Sequence, residues 1–476
     1  MELYDNLDDN IAEIEKTLDG CGDVVSRRMA AGDSEIYVLY IDLLADADMV
    51  REMTTLAYFS DGREPLAFGV RSPDVREAAD FDSIYDAIMG GETALLTQGS
   101  NRATLVSTRK WPNRGVGQAE AEVVVEGPKD AFTESFRYNT ALIRRRIRDK
   151  RLKCRQTVVG RRGKANVGLM YIADLVRPEV LKELNERLAA IDTDAVLDVG
   201  YLEAMLSDDW LSPLPLNQLT ERPDKAASAI LEGRVAVVCD NSPFVMLAPS
   251  TAHTFFQAAD DYSESWQTAS FLRVLRYAAA VIAVCFPGLY CALSAFHPAM
   301  IPTRLALKMA ETRAHVPFPI AVELIMMELA FELLREAGLR LPGPVGGAIG
   351  VVGGIIVGQA AVEAGIVCPM VVIVVALTAI AGFAIPSYAM GEGLRPMKYF
   401  IIILSAALGL FGFWCGVILC LAHMASLKSF GTPYLFPFVS GEVNGFSDVK
   451  DTIVRAPLRF MRRRPIFARR GQQKRM

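Results

Sequence analysis

The chain has 476 residues, of which 51% are hydrophobic and 22% charged, with a formal net charge of −5 and a mean hydropathy of +0.25. These averages merge two unlike halves: residues up to about 270 read as a charged α/β protein, whereas residues 271–427 are dominated by long apolar runs. A wholly soluble enzyme, a disordered chain and a collagen-like chain are excluded. The predicted fold is an α/β soluble N-terminal region of two repeated subdomains, followed by a polytopic α-helical membrane domain of four or five spans. The predicted boundaries are a variable N-terminal segment over 1–30, α/β subdomains over 31–128 and 166–268 with a basic helical linker over 129–165 between them, a transmembrane domain over 269–427 and a basic cytoplasmic tail over 428–476.

The first residues, MELYDNLDDNIAEIEK, are acidic and lack the basic and apolar regions of a signal peptide, which predicts that the charged half stays on the cytoplasmic side. Two stretches then match in pattern. Residues 36–50 (IYVLYIDLLADADMV) and 167–181 (VGLMYIADLVRPEVL) each read as an apolar strand ending in Tyr-Ile, a turn and a helical period. Residues 88–108 and 230–250 repeat a second order: helix end, glycine, strand, polar turn, strand. Ser100-Asn101 and Asn241-Ser242 stand where the hairpin turns belong. A duplicated α/β unit follows.

Between the copies, residues 130–149 carry a helical stripe whose basic tail runs through Arg144, Arg145, Arg146, Arg148, Lys150 and Arg151. No stacking platform or recognition motif accompanies these cations, so a solvated face near acidic partners or anionic lipid is expected, and no nucleic acid. GRRGK at 160–164 lacks the hydroxyl of a phosphate loop, and TERPDK at 220–225 reads as a capped helix start. The eight cysteines form no CxxC pair and the four histidines are scattered, so neither a disulfide framework nor a metal site is expected. With no nucleophile–His–acid set, no catalytic residue or cofactor is predicted.

In the apolar half, residues 277–296, 341–362, 366–389 and 399–423 are four runs of membrane length, the first preceded by Arg273 and Arg276. Residues 317–334 are also apolar but carry Glu323, Glu328 and Glu332. Glu328 and Glu332 share a helical face and Glu323 points nearly opposite. This segment is either an in-plane or re-entrant helix or a span lining a watery cavity, and counting it makes five spans instead of four. In the second run Gly346, Gly350, Gly354 and Gly358 form a smooth ridge ending in Gln359 and Glu363. Two roles fit it: close helix packing, or a pore or gate helix whose carboxylate meets cations. Pro369 and Pro386 remove backbone donors in the third run and make it a candidate hinge. Residues 455–475 carry many cations and no acid, which predicts a cytoplasmic tail resting on anionic head groups.

Several ordered blocks together resemble the A-subunit family of bacterial spore germinant receptors. They are Gly127-Pro128 with Phe132-Thr133-Glu134 and Asn139, LIRRRI at 142–147, TERPDK at 220–225, EGRVA at 232–236, FHPAMIPT at 296–303, FELLREAGLRLP at 331–342, GQAAVEAGIVCP at 358–369, ALTAIAGFAIPSY at 376–388 and SFGTPYL at 429–435. The likeness covers roughly residues 36–465. It implies a multi-pass protein of the spore inner membrane acting in nutrient-triggered germination, with a transporter-like B subunit that binds the nutrient and a C-subunit lipoprotein. It also implies a homo-oligomer that conducts monovalent cations, a role that falls on the helix over 346–363. A non-conducting scaffold and a sporulation-stage paralogue that amplifies ion release remain open beside the channel. A secondary transporter is disfavoured, since no inverted repeat of broken helices is visible.

Overall fold

The computed structural model describes residues 1–31, 34–59, 74–110, 119, 122, 124, 126–340, 357–439, 450–469, 471, 472 and 474. Helix α1 (Leu7–Leu18) starts at Asn6, whose side chain accepts from the Asp8 amide, and Asp8 and Asp9 lie against the positive end of its dipole. Its buried Leu7, Ile14 and Leu18 pack on a sheet of β1 (Val24–Ala31), β2 (Ser34–Ile41), β3 (Val75–Ala78), β4 (Thr93–Thr97) and β5 (Ala103–Val106). The strand order is β1-β2-β4-β5-β3, antiparallel throughout. Period-two alternation sends Leu39 and Ile41 to α1 and α3 (Phe81–Met89), and Ile36 and Val38 to α2 (Ala47–Phe59) on the other face.

The second unit repeats this arrangement. Helix α4 (Phe136–Arg146) precedes β6 (Leu152–Val159), β7 (Ala165–Ile172), β8 (Gln218–Thr220), β9 (Val235–Cys239) and β10 (Val245–Ala248), in the order β6-β7-β9-β10-β8. Helices α4 and α7 (Pro223–Leu231) cover one face, and α5 (Pro178–Ala190) and α6 (Val199–Leu206) the other, so every residue of β9 is buried. The two matched sequence patterns are these units. Their boundaries differ from expectation. Residues 1–30 are no separate segment, because they hold α1 and β1, and 129–165 is no linker, because it holds α4 and β6. The basic end of α4 is only in part a solvated face: Arg148 and Arg151 are exposed, and Lys150 and Arg151 meet Asp82 and Asp174. Arg144 is fully buried, its Nη2 donating to Asp23 Oδ1 at 2.8 Å while Nε donates to the other carboxylate oxygen. Burial works against that charge, and Asp23 outweighs it, so the guanidinium pKa ends raised.

Beyond a 3₁₀ turn (Ala252–Phe255) and the single turn α8 (Asp260–Ser263), the chain enters α9 (Trp266–Phe296). Helices α10 (Thr303–Arg313), α11 (Ile320–Arg340), α12 (Pro369–Phe383) and α13 (Tyr388–Ser426) complete the described bundle, together with helical residues 357–363. Two of these, α9 and α13, are long and apolar enough to cross a membrane. The run expected as a third span forms the 15-residue α12, about 22 Å long at 1.5 Å per residue. Most of the second run, including Gly346, Gly350 and Gly354, lies outside the described residues.

The fourth run is not one straight span. Inside α13, Gly409 has φ 63° and ψ −140°, and the chain reverses there. A Cβ on Gly412 would fall against Leu404 O, and one on Gly416 would lie 3.2 Å from Ile401, approaches that only two antiparallel arms produce. Residues 388–408 ascend for about 30 Å and 410–426 return for about 25 Å. The tip meets Phe296 at the far end of α9. The return brings residues 427–436 back to the second unit, where Leu427 and Tyr434 join Leu214, Leu216, Phe255 and Phe256 in one core at the base of the bundle.

The described part of the basic tail packs against protein. Arg469 N donates to Leu175 O (2.8 Å), and the Ala468 backbone fills the space beside Gly233. Arg464 Nε donates to Leu231 O at 3.0 Å, while Arg459, Arg462 and Arg463 are exposed.

Candidate functional site

Each acid singled out in α11 meets a cation. Glu323 is buried, its Oε2 accepting from the Cys368 amide at 2.8 Å and its Oε1 lying 3.6 Å from Arg313. Glu328, also buried, accepts from Lys398 Nζ at 2.5 Å. Glu332 lies 3.1 Å from Arg395 and 3.6 Å from Lys398, with Arg335 at 3.3 Å on its own helix. Glu328 and Glu332 therefore face the ascending arm of α13, and Glu323 faces α10 and the start of α12. Burying such charges is tolerable only with paired, hydrogen-bonded geometry, which the facing helices supply.

Gly358 is buried, and a Cβ there would come 3.2 Å from Val372 on α12. Gln359 and Glu363 are exposed, the amide donating to the Glu363 carboxylate at 3.0 Å. Pro369 occupies the first turn of α12 and Pro386 lies beyond its end, so neither breaks hydrogen bonds within that helix. Neither proline therefore bends α12 from within. Among the described residues, the prolines inside helices are Pro287 in α9 and Pro396 in α13.

Sequence reasoning missed the junction between the α/β region and the bundle. Arg273 is fully buried, donating to Asp261 (2.7 Å) and to both the carboxylate and the carbonyl of Asp451 (2.8 and 2.9 Å). Arg276 also donates to Asp261 at 2.7 Å, and Tyr262 Oη donates to Asp451 at 3.0 Å. Arg455 donates to Glu264 O at 2.8 Å. The two arginines that head the first span thus bind protein carboxylates instead of head groups. Their cationic signal was visible. Their acids, one in α8 and one in the tail, carry no sequence mark of the partnership.

His253 secures the same junction. Its Nδ1 lies 3.1 Å from Phe436 O, which only accepts, so Nδ1 carries the proton; Thr251 Oγ1 is 2.8 Å away. Burial pulls the imidazole pKa down to about 4, with Arg234 and Arg273 adding to the effect against the opposing Phe436 carbonyl. An unfolded imidazole, with a pKa of about 6.5, takes up a proton that the folded one refuses. Its contribution to stability is therefore complete above about pH 6.5 and falls toward pH 4, by up to about 1.4 kcal/mol per unit. Unfolding of the detergent-solubilised protein should show this slope and His253→Gln should lose it; equal slopes in both would refute the assignment.

A double α/β unit joined to a bundle with two membrane-length apolar helices is the class of protein this structure defines. The family profile for Bacillus/Clostridium GerA spore germination protein matches residues 12–467. Among relatives, spore germination protein B1 of Bacillus subtilis is 36% identical over 98% of both chains. Spore germination protein A1 of the same organism is 36% identical over 96% of this chain and 95% of its own. Spore germination protein GerLA of Bacillus cereus is 35% identical over 98% and 96%. A crystal structure of the N-terminal domain of the A subunit of the Bacillus megaterium spore germinant receptor GerK3 covers 52% of this chain and 96% of that domain, at 29% identity and a TM-score of 0.41. The chain belongs to the GerA family of spore germination proteins, as the resemblance in its motifs implied.

Proposed function

We propose that this chain is the membrane subunit of a nutrient germinant receptor, and that copies of it assemble into an oligomeric, ligand-gated cation channel releasing ions at the start of germination. It is non-enzymatic in this reading. It sits as a multi-pass protein in the spore inner membrane with the α/β region and tail on the cytoplasmic face, beside a transporter-like nutrient-binding subunit and a lipoprotein subunit. Family membership supports the germination role. The observation that carries the channel is Glu363. While Glu323, Glu328 and Glu332 are tied to cations within the chain, Glu363 is exposed and meets an amide. In an oligomer such a carboxylate is repeated once per subunit, the arrangement that attracts cations in many pores.

A second reading, a non-conducting scaffold, is favoured by the packing of Gly358 on Val372, which makes the ridge a helix contact at that point. The sporulation-stage paralogue shares the channel chemistry and differs in when it acts. Cation flux through the reconstituted chain, with partner subunits and nutrient present, separates the channel from the scaffold. The channel predicts flux that Glu363→Gln weakens several-fold without loss of assembly. A well-folded oligomer that passes no ions favours the scaffold.

A further inference from the structure

The second unit carries apolar side chains turned away from its core. Helix α6 buries Val199, Leu202 and Leu206, while Tyr201 and Met205 face outward, and the loop after it exposes Trp210 and Leu211 to 83% and 72%. Bolts on both sides hold this loop. Before the dipeptide, Asp208 accepts from Arg187 (2.5 Å) and from the Phe430 amide (2.6 Å). After it, Ser212 Oγ lies 3.1 Å from His423 Nε2, and Leu214 and Leu216 are buried in the core at the bundle base. Pro213 O packs so closely on Gly393 that a Cβ there would sit 2.5 Å away. The loop is thus built to hold two large apolar groups outward, at no gain to the fold.

Their level along the bundle says what covers them. His423 is in the last turn of the descending arm, whose Ile418, Leu419 and Leu421 are exposed. At the base of α9, Phe271, Val274 and Leu275 are exposed as well, while Arg273 and Arg276 turn inward to Asp261. Apolar groups are thus exposed at the bases of two helices and on a loop tied to the second of them, and exposure spread over several elements suits a surrounding medium better than one protein face. Indole, with an apolar body and one N–H donor, favours the boundary between hydrocarbon and water. The loop's acids do not oppose this, because Asp208 is paired and Asp209 accepts from the Leu211 amide (3.0 Å).

We propose that Trp210 and Leu211 insert into the head-group boundary of the bilayer that the bundle crosses, anchoring the second unit to the lipid surface. This rests on the reading that the bundle spans a membrane, so the test carries a separate probe for that. The full chain, reconstituted in phosphatidylcholine–phosphatidylglycerol vesicles, is prepared with Trp210 as its one tryptophan and, separately, with Trp414 of the descending arm as its one tryptophan, the others being replaced by phenylalanine. Lipids brominated near either the head-group end or the methyl end of the acyl chain serve as quenchers. The anchor predicts that Trp210 loses most of its emission to the shallow bromines and less to the deep ones. An unquenched Trp210 beside a quenched Trp414 overturns the anchor and leaves the spanning bundle standing; a blue-shifted, unquenched Trp210 would mean that protein, including a second copy, covers it. An unquenched Trp414 overturns the spanning bundle itself. Should the triple replacement fail to fold, Trp210→Phe in the otherwise native chain yields the same signal by difference.

Discussion

Asp261→Ala is expected to destabilise the protein by about 3–5 kcal/mol, the cost of stranding a buried charge by removing its partner. Asp261 is fully buried and receives both Arg273 and Arg276, while Asp451 on the tail holds the far side of Arg273. Arg273 and Arg276 share Asp261 and Asp451, and the substitution leaves these two guanidinium groups with one carboxylate. The tail should loosen with it, because Asp451 reaches the bundle through Arg273 and Tyr262. Denaturant unfolding in detergent measures the first effect, and the rate of proteolysis near Arg455 measures the second. Adding Arg273→Met to Asp261→Ala should recover part of the loss, since apolar groups of similar size replace buried ion pairs at small cost. A single variant within about 0.5 kcal/mol of the parent would show that the junction does not hold the molecule together.

Gly412→Leu is expected to be more damaging still. In one continuous 39-residue helix a leucine at this position would be harmless, being a better helix former than glycine and at home among lipid. In the hairpin its Cβ falls onto Leu404 O, a backbone atom that cannot step aside without parting the arms. Gly409→Ala should be milder, at about 1–3 kcal/mol for holding a side chain at φ 63°, with further crowding on Phe296. Gly391→Leu is the control, because a Cβ there meets nothing within 4 Å. Thermal unfolding and yield of folded protein in detergent rank the three. If Gly412→Leu melts with the control, the arms are not packed as described.

How much of this was legible in the sequence follows from the range over which each signal acts. The duplication was legible because its marks are local: Tyr-Ile closing a strand, Gly90-Gly91 and Gly233 after a helix, a polar turn between two apolar strands. Strands β1 and β6 were hidden because arginines and other polar residues interrupt their apolar pattern, as edge strands of a sheet allow. The hairpin at Gly409 was hidden for a different reason. A turn inside an apolar medium needs a glycine and close packing, and it carries none of the polar residues by which turns are recognised in water. The acids of α11 were found, and their roles were not, because Glu328 with Lys398 and Glu323 with Arg313 or Cys368 are partnerships of the folded bundle. The cations were visible in sequence and their particular acids were not: Arg144 binds Asp23, 121 residues away, and Arg273 and Arg276 share Asp261.

The reversal at Gly409 also fixes the sidedness of the molecule as a single question. The chain leaves the second unit through α9 and comes back to it through the descending arm, so the two sheets and the described tail share one compartment whichever compartment that is. A membrane-impermeant label placed at Gly20 in the first unit, where a side chain would meet nothing within 4 Å, therefore also answers for the tail around Gly471. Any regulator that binds both must arrive from one side.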